Sequence, residues 1–186
     1  MSVLKAISFL KEPFKQQPVE TVPLTATGVR RVPDFVVSML IKFEGMAKRG
    51  ADGLIYPYHD MVGFPTIGVG HLLSRVKFED LSKYPPITEA EAYALKYKDL
   101  DRFATGVSSL VKCNINDNEF GALVMLAFNI GLGNLKNSLL IRKLNRGDAR
   151  EEVGAEFLKW DIAQGQKVKG LTIRRTSEMK VFLTPC

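Results

Sequence analysis

The sequence has few cysteines and no long apolar run. Its 186 residues include only Cys113 and Cys186, too few for a disulfide framework. The longest stretch without a charge, residues 120–135, is shorter than the roughly 18 to 20 apolar residues of a membrane span and contains two asparagines. With 15 Gly, 9 Pro and 46% hydrophobic residues, the composition excludes fibrous and largely disordered chains. We therefore expect a globular protein without an integral membrane segment.

The chain start and the net charge bear on localisation and partners. The apolar run before Lys11, Glu12 and Pro13 is too short for a signal peptide, so we expect synthesis in the cytosol with both cysteines as thiols. The 26 Lys and Arg residues against 20 Asp and Glu give a net charge of +6. This excess favours anionic partners, which include nucleic acid, acidic glycans and lipid surfaces.

Proline content divides the chain into an arm, residues 1–32, and a packed domain, residues 33–186. Four of the nine prolines lie within the first 33 residues, as expected for an extended segment. An apolar stripe in the arm could contact a membrane or a partner, and a disordered or packed tail is an equal alternative. The stripe comprises Leu4, Ile7, Phe9, Leu10 and Phe14.

The pattern of apolar residues predicts an α+β fold. A helix is expected over residues 33–44, ending before Gly45, and a hairpin or small sheet over residues 54–73. Everything beyond is expected to be helical, with helices at 88–111, 116–128, 138–144, 148–160 and 171–183. The result is a small β lobe beside a larger helical lobe that holds most of the core.

Three residues of the first half carry the predicted chemistry. Glu44 falls in the last turn of its helix, where the negative end of the macrodipole favours a protonated carboxyl, as a general acid requires. Asp60 and Thr66 each lie three residues from Gly63, so a hairpin symmetric about Gly63 would place them opposite each other. A carboxylate and a hydroxyl at that spacing can share a water. Taken singly, each residue is also ordinary for a helix end, a turn or a strand.

Several motifs in this order resemble glycoside hydrolase family 24, the phage-type lysozymes. The resemblance covers about residues 33–184, and its most specific part is the Asp60-to-Thr66 spacing running into Thr-Ile-Gly-Val-Gly-His. The matching segments are Glu44, Tyr58-His59-Asp60, residues 66–73, Ala127-Phe128-Asn129-Ile130-Gly131, Lys136-Asn137-Ser138-Leu139 and Gly170-Leu171-Thr172-Ile173-Arg174-Arg175.

The resemblance implies a lysozyme-like fold with a substrate cleft between the lobes. It implies hydrolysis of the β-1,4 bond between N-acetylmuramic acid and N-acetylglucosamine in bacterial peptidoglycan, without cofactor or metal. Glu44 would be the general acid, and Asp60 and Thr66 would handle the attacking water. Further implied roles are cleft lining by Leu72, Phe128 and Ser138, and an influence on Glu44 by Arg174 or Arg175.

The chain departs from the family in the link between Glu44 and Asp60. Fifteen residues separate them, more than in the family, so we place an insertion at residues 47–53. This basic loop either lengthens the turn and adds cationic contact to the wall, or displaces the β lobe. We expect inversion of configuration, because Thr66 suits the holding of a water between two carboxyl groups.

Other functions and locations remain alternatives. A virion protein could use this fold to bind the wall without turnover, and a basic nucleic-acid-binding protein is less well supported because no such motif is present and the charges are dispersed. We expect a monomer with no nucleic-acid partner. By resemblance to endolysins, the enzyme would stay in the host cytoplasm until holin lesions open a path to the periplasm and wall, and a virion-carried lysozyme is the alternative.

Overall fold

The protein is described here by a computed structural model, which covers residues 30–47 and 49–185. The apolar stripe of the arm lies outside the described residues, as do Lys48 and Cys186. Residues 30–32 pack against the helical lobe. Val32 is buried in the core, and the Arg30 guanidinium pairs with Asp117 and lies over the Phe120 ring.

The described residues form seven α-helices, two 3-10 helices and five short strands, which confirms the α+β class. The helices are α1 (Asp34–Glu44), α2 (Glu89–Leu110), α3 (Asp117–Ile130), α4 (Leu132–Asn137), α5 (Leu139–Arg146), α6 (Arg150–Ala155) and α7 (Lys169–Leu183). The 3-10 helices are Leu81–Lys83 and Glu156–Trp160. The strands are β1 (Tyr58–His59), β2 (Pro65–Ile67), β3 (His71–Leu72), β4 (Ile162–Ala163) and β5 (Gln166–Lys167).

Capping boxes begin two of the long helices. Thr88 and Glu91 satisfy each other's backbone N–H groups at the start of α2, and Asn116 and Glu119 do the same for α3. At the end of α1 the chain leaves the helix through Gly45, whose φ of 82° suits glycine. Local sequence therefore determines where these three helices begin or end.

Helix α3 is the centre of the helical lobe. Every side chain from Phe120 to Ala127 is buried, so the helix is surrounded on all sides. It packs against α1, α2 and, most extensively, α7. Helices α1 and α7, which carry Glu44 and Arg174, are thereby held on one scaffold.

The register of the β lobe differs from the sequence prediction. Tyr58, not Asp60, lies opposite Thr66, and Leu72 lies opposite Thr66 on the other side. The Asp60 N–H instead donates to the Phe64 carbonyl at 3.0 Å. The turn is a three-residue loop in which Gly63, with a φ of 96°, is the last residue and not the centre. Asp60 and Thr66 are therefore diagonal neighbours.

The expectation of an all-helical second half is wrong at residues 162–167. There, β4 and β5 pair as a hairpin through Gln164 and Gly165. Both turn residues have positive φ, 52° and 78°, which is the geometry that closes a two-residue hairpin. Asn-Gly would have indicated this turn, whereas Gln-Gly is a weak signal.

The predicted insertion is a loop held by contacts with neighbouring segments. Arg49 forms an isolated bridge with Ile55, which forms another with Ile87 through hydrogen bonds of 2.8 and 2.9 Å. Arg49 also pairs with Glu89 at 2.6 Å. The Arg49 side chain is thus partly engaged within the protein, and the expected cationic contact of the loop with the wall stays a prediction.

None of the helices in the described part of the chain is long and apolar enough to cross a membrane.

A glycine in α3 provides a test of the core packing. A Cβ at Gly121 would come within 2.6 Å of the Phe35 ring and 2.8 Å of Val36. We expect Gly121→Ala to lower the free energy of unfolding by about 1–3 kcal/mol, because the core must expand. Gly133→Ala is the control, since a Cβ there meets nothing within 4 Å. Denaturant unfolding that shows equal stability for both variants would contradict this packing.

Candidate active site

One face of the β sheet carries the two residues predicted to act on the attacking water. Tyr58, Thr66 and Leu72 lie side by side across β1, β2 and β3. Asp60 follows Tyr58 by two residues and therefore points to the same face. Thr66 is 4% exposed and its hydroxyl donates to the Phe64 carbonyl at 3.0 Å, while Leu72 is exposed. The sheet thus brings Asp60, Thr66 and Leu72 together.

The Asp60 carboxylate is held by the turn that it begins. Its Oδ1 accepts hydrogen bonds from the N–H groups of Val62 and Phe64, each at 2.9 Å. These bonds, that of Phe64 first, and the nearby Lys77 ammonium lower the pKa of Asp60. Asp60 is therefore ionised at neutral pH and fixed in orientation.

Glu44 is the last residue of α1, and its side chain is bound by a residue of α7. The Arg174 Nη1 donates to Glu44 Oε1 at 2.6 Å, and the Arg174 guanidinium lies 5.4 Å from the centre of the Phe43 ring. The Glu44 side chain keeps 36% exposure, whereas that of Arg174 keeps 7%. Of the two arginines implicated by resemblance, Arg174 is the one that contacts Glu44.

Arg174 belongs to a buried network of charges. Its Nε donates to Glu178 Oε1 at 3.0 Å, and Arg175 approaches Glu178 Oε2 at 3.2 Å without the alignment of a hydrogen bond. Arg175 also donates to Asn129 Oδ1 at 2.9 Å. Burial raises the pKa of Glu178 to about 7, although both guanidinium groups act in the opposite direction.

Tyr58 lies close to both candidate carboxyl groups, those of Asp60 and Glu44. Desolvation raises the pKa of Tyr58 first, and the charges of Asp60 and Glu44 raise it further. Both carboxyl groups therefore lie within electrostatic range of one side chain that is directly opposite Thr66. Glu44 and Tyr58 also line a common cavity of about 440 Å³, whose other walls are residues 45–47, 56 and 57.

A buried lysine lies behind the predicted cleft residue Phe128. Lys96 is 2% exposed, its Nζ donates to the Val69 carbonyl at 3.1 Å, and the same atom lies 3.8 Å from the centre of the Phe128 ring. Burial lowers the pKa of Lys96, while the charges of Glu44 and Asp99 raise it. Lys96 thus connects the β lobe to the helical lobe near Glu44.

The hydrogen bonds of Ser138 do not involve the residues around Tyr58. It is buried, its hydroxyl donates to the Leu135 carbonyl at 2.6 Å, and it accepts from the Ile141 N–H at 3.2 Å. Ser138 is therefore the N-cap of α5, and its predicted contact with substrate stays a prediction.

The two histidines have structural partners. His71 Nδ1 lies 2.9 Å from Asp99 Oδ1, as expected for a hydrogen-bonded structural histidine, and His59 Nε2 lies 2.9 Å from the Glu79 carbonyl. Within the described ranges, no group of three or more His, Cys, Asp or Glu side chains could hold a metal ion.

Sequence reasoning gave no role to Tyr58 or Lys96. Lys96 occupies a position on the buried face of α2, in the series Ala92, Lys96, Leu100, Phe103, Val107. A lysine in such an apolar series was the available signal, because a buried ammonium needs compensating partners. Tyr58 had no comparable signal, since an aromatic residue is common in strands.

The chain resembles known proteins in sequence and in fold. The family model described as "Phage lysozyme" matches residues 43–178. The chain is 34% identical over 148 residues to an endolysin of Bacillus phage B103, covering 80% of this chain and 52% of that relative, about half its length. It is 36% identical to a SAR-endolysin of Bacteriophage PS119, covering 80% and 85%. A crystal structure of a P22 lysozyme mutant superposes with a TM-score of 0.69 at 29% identity, covering 83% of this chain and 99% of that one.

The buried network predicts that the thermal stability of the protein depends on pH. Glu178→Gln should remove this dependence. The pKa of Glu178 is raised from 4.5 to about 7, so between these values the folded state binds more protons than the unfolded state. The resulting stabilisation is present below the unfolded pKa and lost as pH rises through the folded one. We expect the melting temperature of the wild type, minus that of the variant, to fall from about pH 5 to about pH 8.

The measurement is thermal unfolding of both proteins in matched buffers. A difference that rises with pH would mean that the two arginines, rather than burial, control the protonation of Glu178.

Proposed function

The chain belongs to the phage lysozyme family, a family of peptidoglycan-hydrolysing enzymes, and we propose that it is a muramidase in which Glu44 is the general acid. The bond cleaved is the β-1,4 link between N-acetylmuramic acid and N-acetylglucosamine. The observation that carries this assignment is that Glu44 and Tyr58 line one cavity. Thr66 lies directly opposite Tyr58, and Asp60 follows Tyr58 by two residues.

In the proposed mechanism Glu44 donates a proton from one defined oxygen. Arg174 donates a hydrogen bond to Oε1, which leaves Oε2 as the oxygen that serves the leaving glycosidic oxygen. As the bond from the anomeric carbon to this oxygen breaks, the proton moves to it and Glu44 is left as a carboxylate.

Asp60 and Thr66 are suited to orient and deprotonate the attacking water. The Thr66 hydroxyl uses its own hydrogen on the Phe64 carbonyl, so its oxygen can accept a hydrogen bond from water. The ionised Asp60 accepts the second hydrogen of that water. The water oxygen is then free to form the new bond to the anomeric carbon, and its proton passes to Asp60.

The diagonal placement of Asp60 and Thr66 leaves room for this water. Diagonal neighbours in an antiparallel pair have Cβ atoms up to about 7–8 Å apart, compared with about 5 Å for directly opposite residues. A water entering from the face opposite the leaving group inverts the configuration. The β-linked substrate therefore gives an α-anomeric product.

Cytoplasmic synthesis followed by host lysis is the physiological role proposed for this activity. The relatives named above are endolysins, which supports action on the wall from inside an infected cell. We propose that the protein reaches the wall through holin lesions and acts as a monomer. A lysozyme carried by the virion is the alternative, and immunoblots of purified particles and of lysing cells would separate the two.

Glu44→Gln tests the role of the general acid. We expect the variant to lose turnover by about 100- to 10,000-fold, because the amide cannot donate a proton to the leaving oxygen. The assay is release of reducing ends and loss of turbidity with outer-membrane-permeabilised bacteria.

The matched control is Glu151→Gln, which removes an exposed carboxylate on α6 and should retain full activity. Undiminished lysis by a folded Glu44→Gln protein would contradict the assignment. Wall binding without turnover by the wild type would instead favour a wall-binding protein.

The stereochemistry is tested separately. We expect proton NMR of the first product released from a glycan to show the α-anomer before mutarotation, because water attacks directly. An initial β-anomer would mean that a covalent glycosyl-enzyme forms and would reassign Asp60 as the nucleophile.

A further inference from the structure

One lysine is buried where the two lobes meet. Lys96 lies on α2 and is 2% exposed, although an ammonium group that leaves water needs compensating partners. Resting on the proposed function, we propose that Lys96 is a positioning residue for catalysis. Its ammonium holds the turn between β2 and β3 against the helical lobe, and its positive charge sets the upper limit of the pH range over which Glu44 keeps its proton.

The hydrogen bond of Lys96 fixes the turn that follows Thr66. Its Nζ donates to the carbonyl oxygen of Val69 at 3.1 Å, and Val69 is itself 2% exposed. One helical turn earlier on α2, a Cβ at Gly68 would lie 3.1 Å from the Cβ of Ala92, so the same turn also packs closely there. Val69 comes three residues after Thr66 in the chain. A displacement of this turn therefore moves the strand that carries Thr66.

The same ammonium contacts a third element, α3. Its Nζ lies 3.8 Å from the centre of the Phe128 ring. A cation over an aromatic ring is attracted to it, and more strongly where water is excluded. The Phe128 ring in turn packs edge-on against Phe103 of α2, with the ring centres 5.3 Å apart. Lys96 therefore joins α2, α3 and the β lobe through one charged group. An uncharged side chain of similar length can fill the space but forms neither polar contact.

The charge of Lys96 also acts on the proposed general acid. Burial lowers the pKa of Lys96 first, while the charges of Glu44 and Asp99 raise it and that of Arg174 lowers it. An electrostatic interaction is mutual, so the ammonium stabilises the carboxylate form of Glu44. The other carboxyl group, that of Asp99, is engaged by His71, with Oδ1 2.9 Å from Nδ1. Removal of the Lys96 charge would favour the protonated form of Glu44.

The other charged and titratable groups near Glu44 come from α7 and β1. Arg174 donates to Glu44, and Glu178, which Arg174 also binds, lies within electrostatic range of it. On β1, Tyr58 responds to the charge of Glu44. None of these groups is changed by a substitution at Lys96. A shift in the pH profile of a folded Lys96 variant therefore reports the charge of Lys96.

Lys96→Met tests both parts of the inference, because methionine is unbranched, uncharged and of similar length. The substrate is a peptide-free oligosaccharide of alternating N-acetylglucosamine and N-acetylmuramic acid, and released reducing ends are measured across the pH range. We expect the alkaline limb of kcat/KM to move up by about 0.5 to 1 pH unit, because Glu44 stays protonated to higher pH. At the optimum we expect kcat to fall about tenfold with little change in KM, because Thr66 is held less precisely.

Three further variants provide the controls. Lys96→Arg keeps a positive charge, so its alkaline limb should stay at the wild-type pH. Lys96→Gln is a second uncharged variant and should show the same upward shift as Lys96→Met. Lys98→Met removes an exposed ammonium from the same helix, and it should leave the pH profile and both kinetic constants unchanged. Melting temperatures of all four variants identify any change that results from unfolding.

The outcomes separate this inference from the proposed function. If the wild type cleaves neither this oligosaccharide nor the wall of permeabilised bacteria, the proposed function fails. If the wild type cleaves both, and folded Lys96→Met keeps the wild-type pH profile and kcat, the role of Lys96 is refuted. A lower melting temperature with an unchanged pH profile would also refute it and leave Lys96 a purely structural residue. A shift of the alkaline limb to lower pH would contradict the proposed sign of the charge effect.

Discussion

The ion pair between Arg174 and Glu44 joins residues 130 positions apart in the chain. A glutamate in the last turn of a helix has no fixed orientation of its own, and here a buried guanidinium supplies one. Burying a guanidinium is costly unless it is paired and hydrogen-bonded, so Arg174, Arg175, Glu178 and Glu44 must be positioned together. This requires α7 to pack on α3, with α1 packed beside it. The proposed general acid, Glu44, therefore depends on the last helix of the described chain.

The second constraint is the turn that carries Asp60. The carboxylate accepts two backbone hydrogen bonds from its own loop, which determines the length of the turn and thus the strand register. Packing on α2 then positions the sheet. Gly68 has a φ of 62°, and a Cβ there would lie 3.1 Å from the Ala92 Cβ, so a glycine is needed where the sheet meets the helix. The site lies where these two lobes meet.

The insertion lengthens the link between Glu44 and Asp60 and is anchored to the rest of the protein. Its bridges through Ile55 to Ile87, and the pair between Arg49 and Glu89, anchor it to the segment that leads into α2. Tyr56 and Tyr58, which follow the insertion in the sequence, line the cavity next to Glu44. The extra length between Glu44 and Asp60 is taken up in a closed turn, in which the Gly50 N–H donates to the Leu54 carbonyl at 2.8 Å.

The sequence alone determined the features that depend on neighbouring residues. The ends of α1, α2 and α3 follow from Gly45 and from two capping boxes, and the motifs identified Glu44, Asp60 and Thr66 as candidates. The strand register could not be predicted, because it depends on which backbone groups the Asp60 side chain satisfies. Tertiary structure decided the rest: that Arg174 and not Arg175 contacts Glu44, that Lys96 is buried against Phe128, and that Ser138 serves as a cap. These outcomes depend on packing between helices that are far apart in the sequence. There, burial and charge pairing decide which of several possible neighbours a side chain contacts.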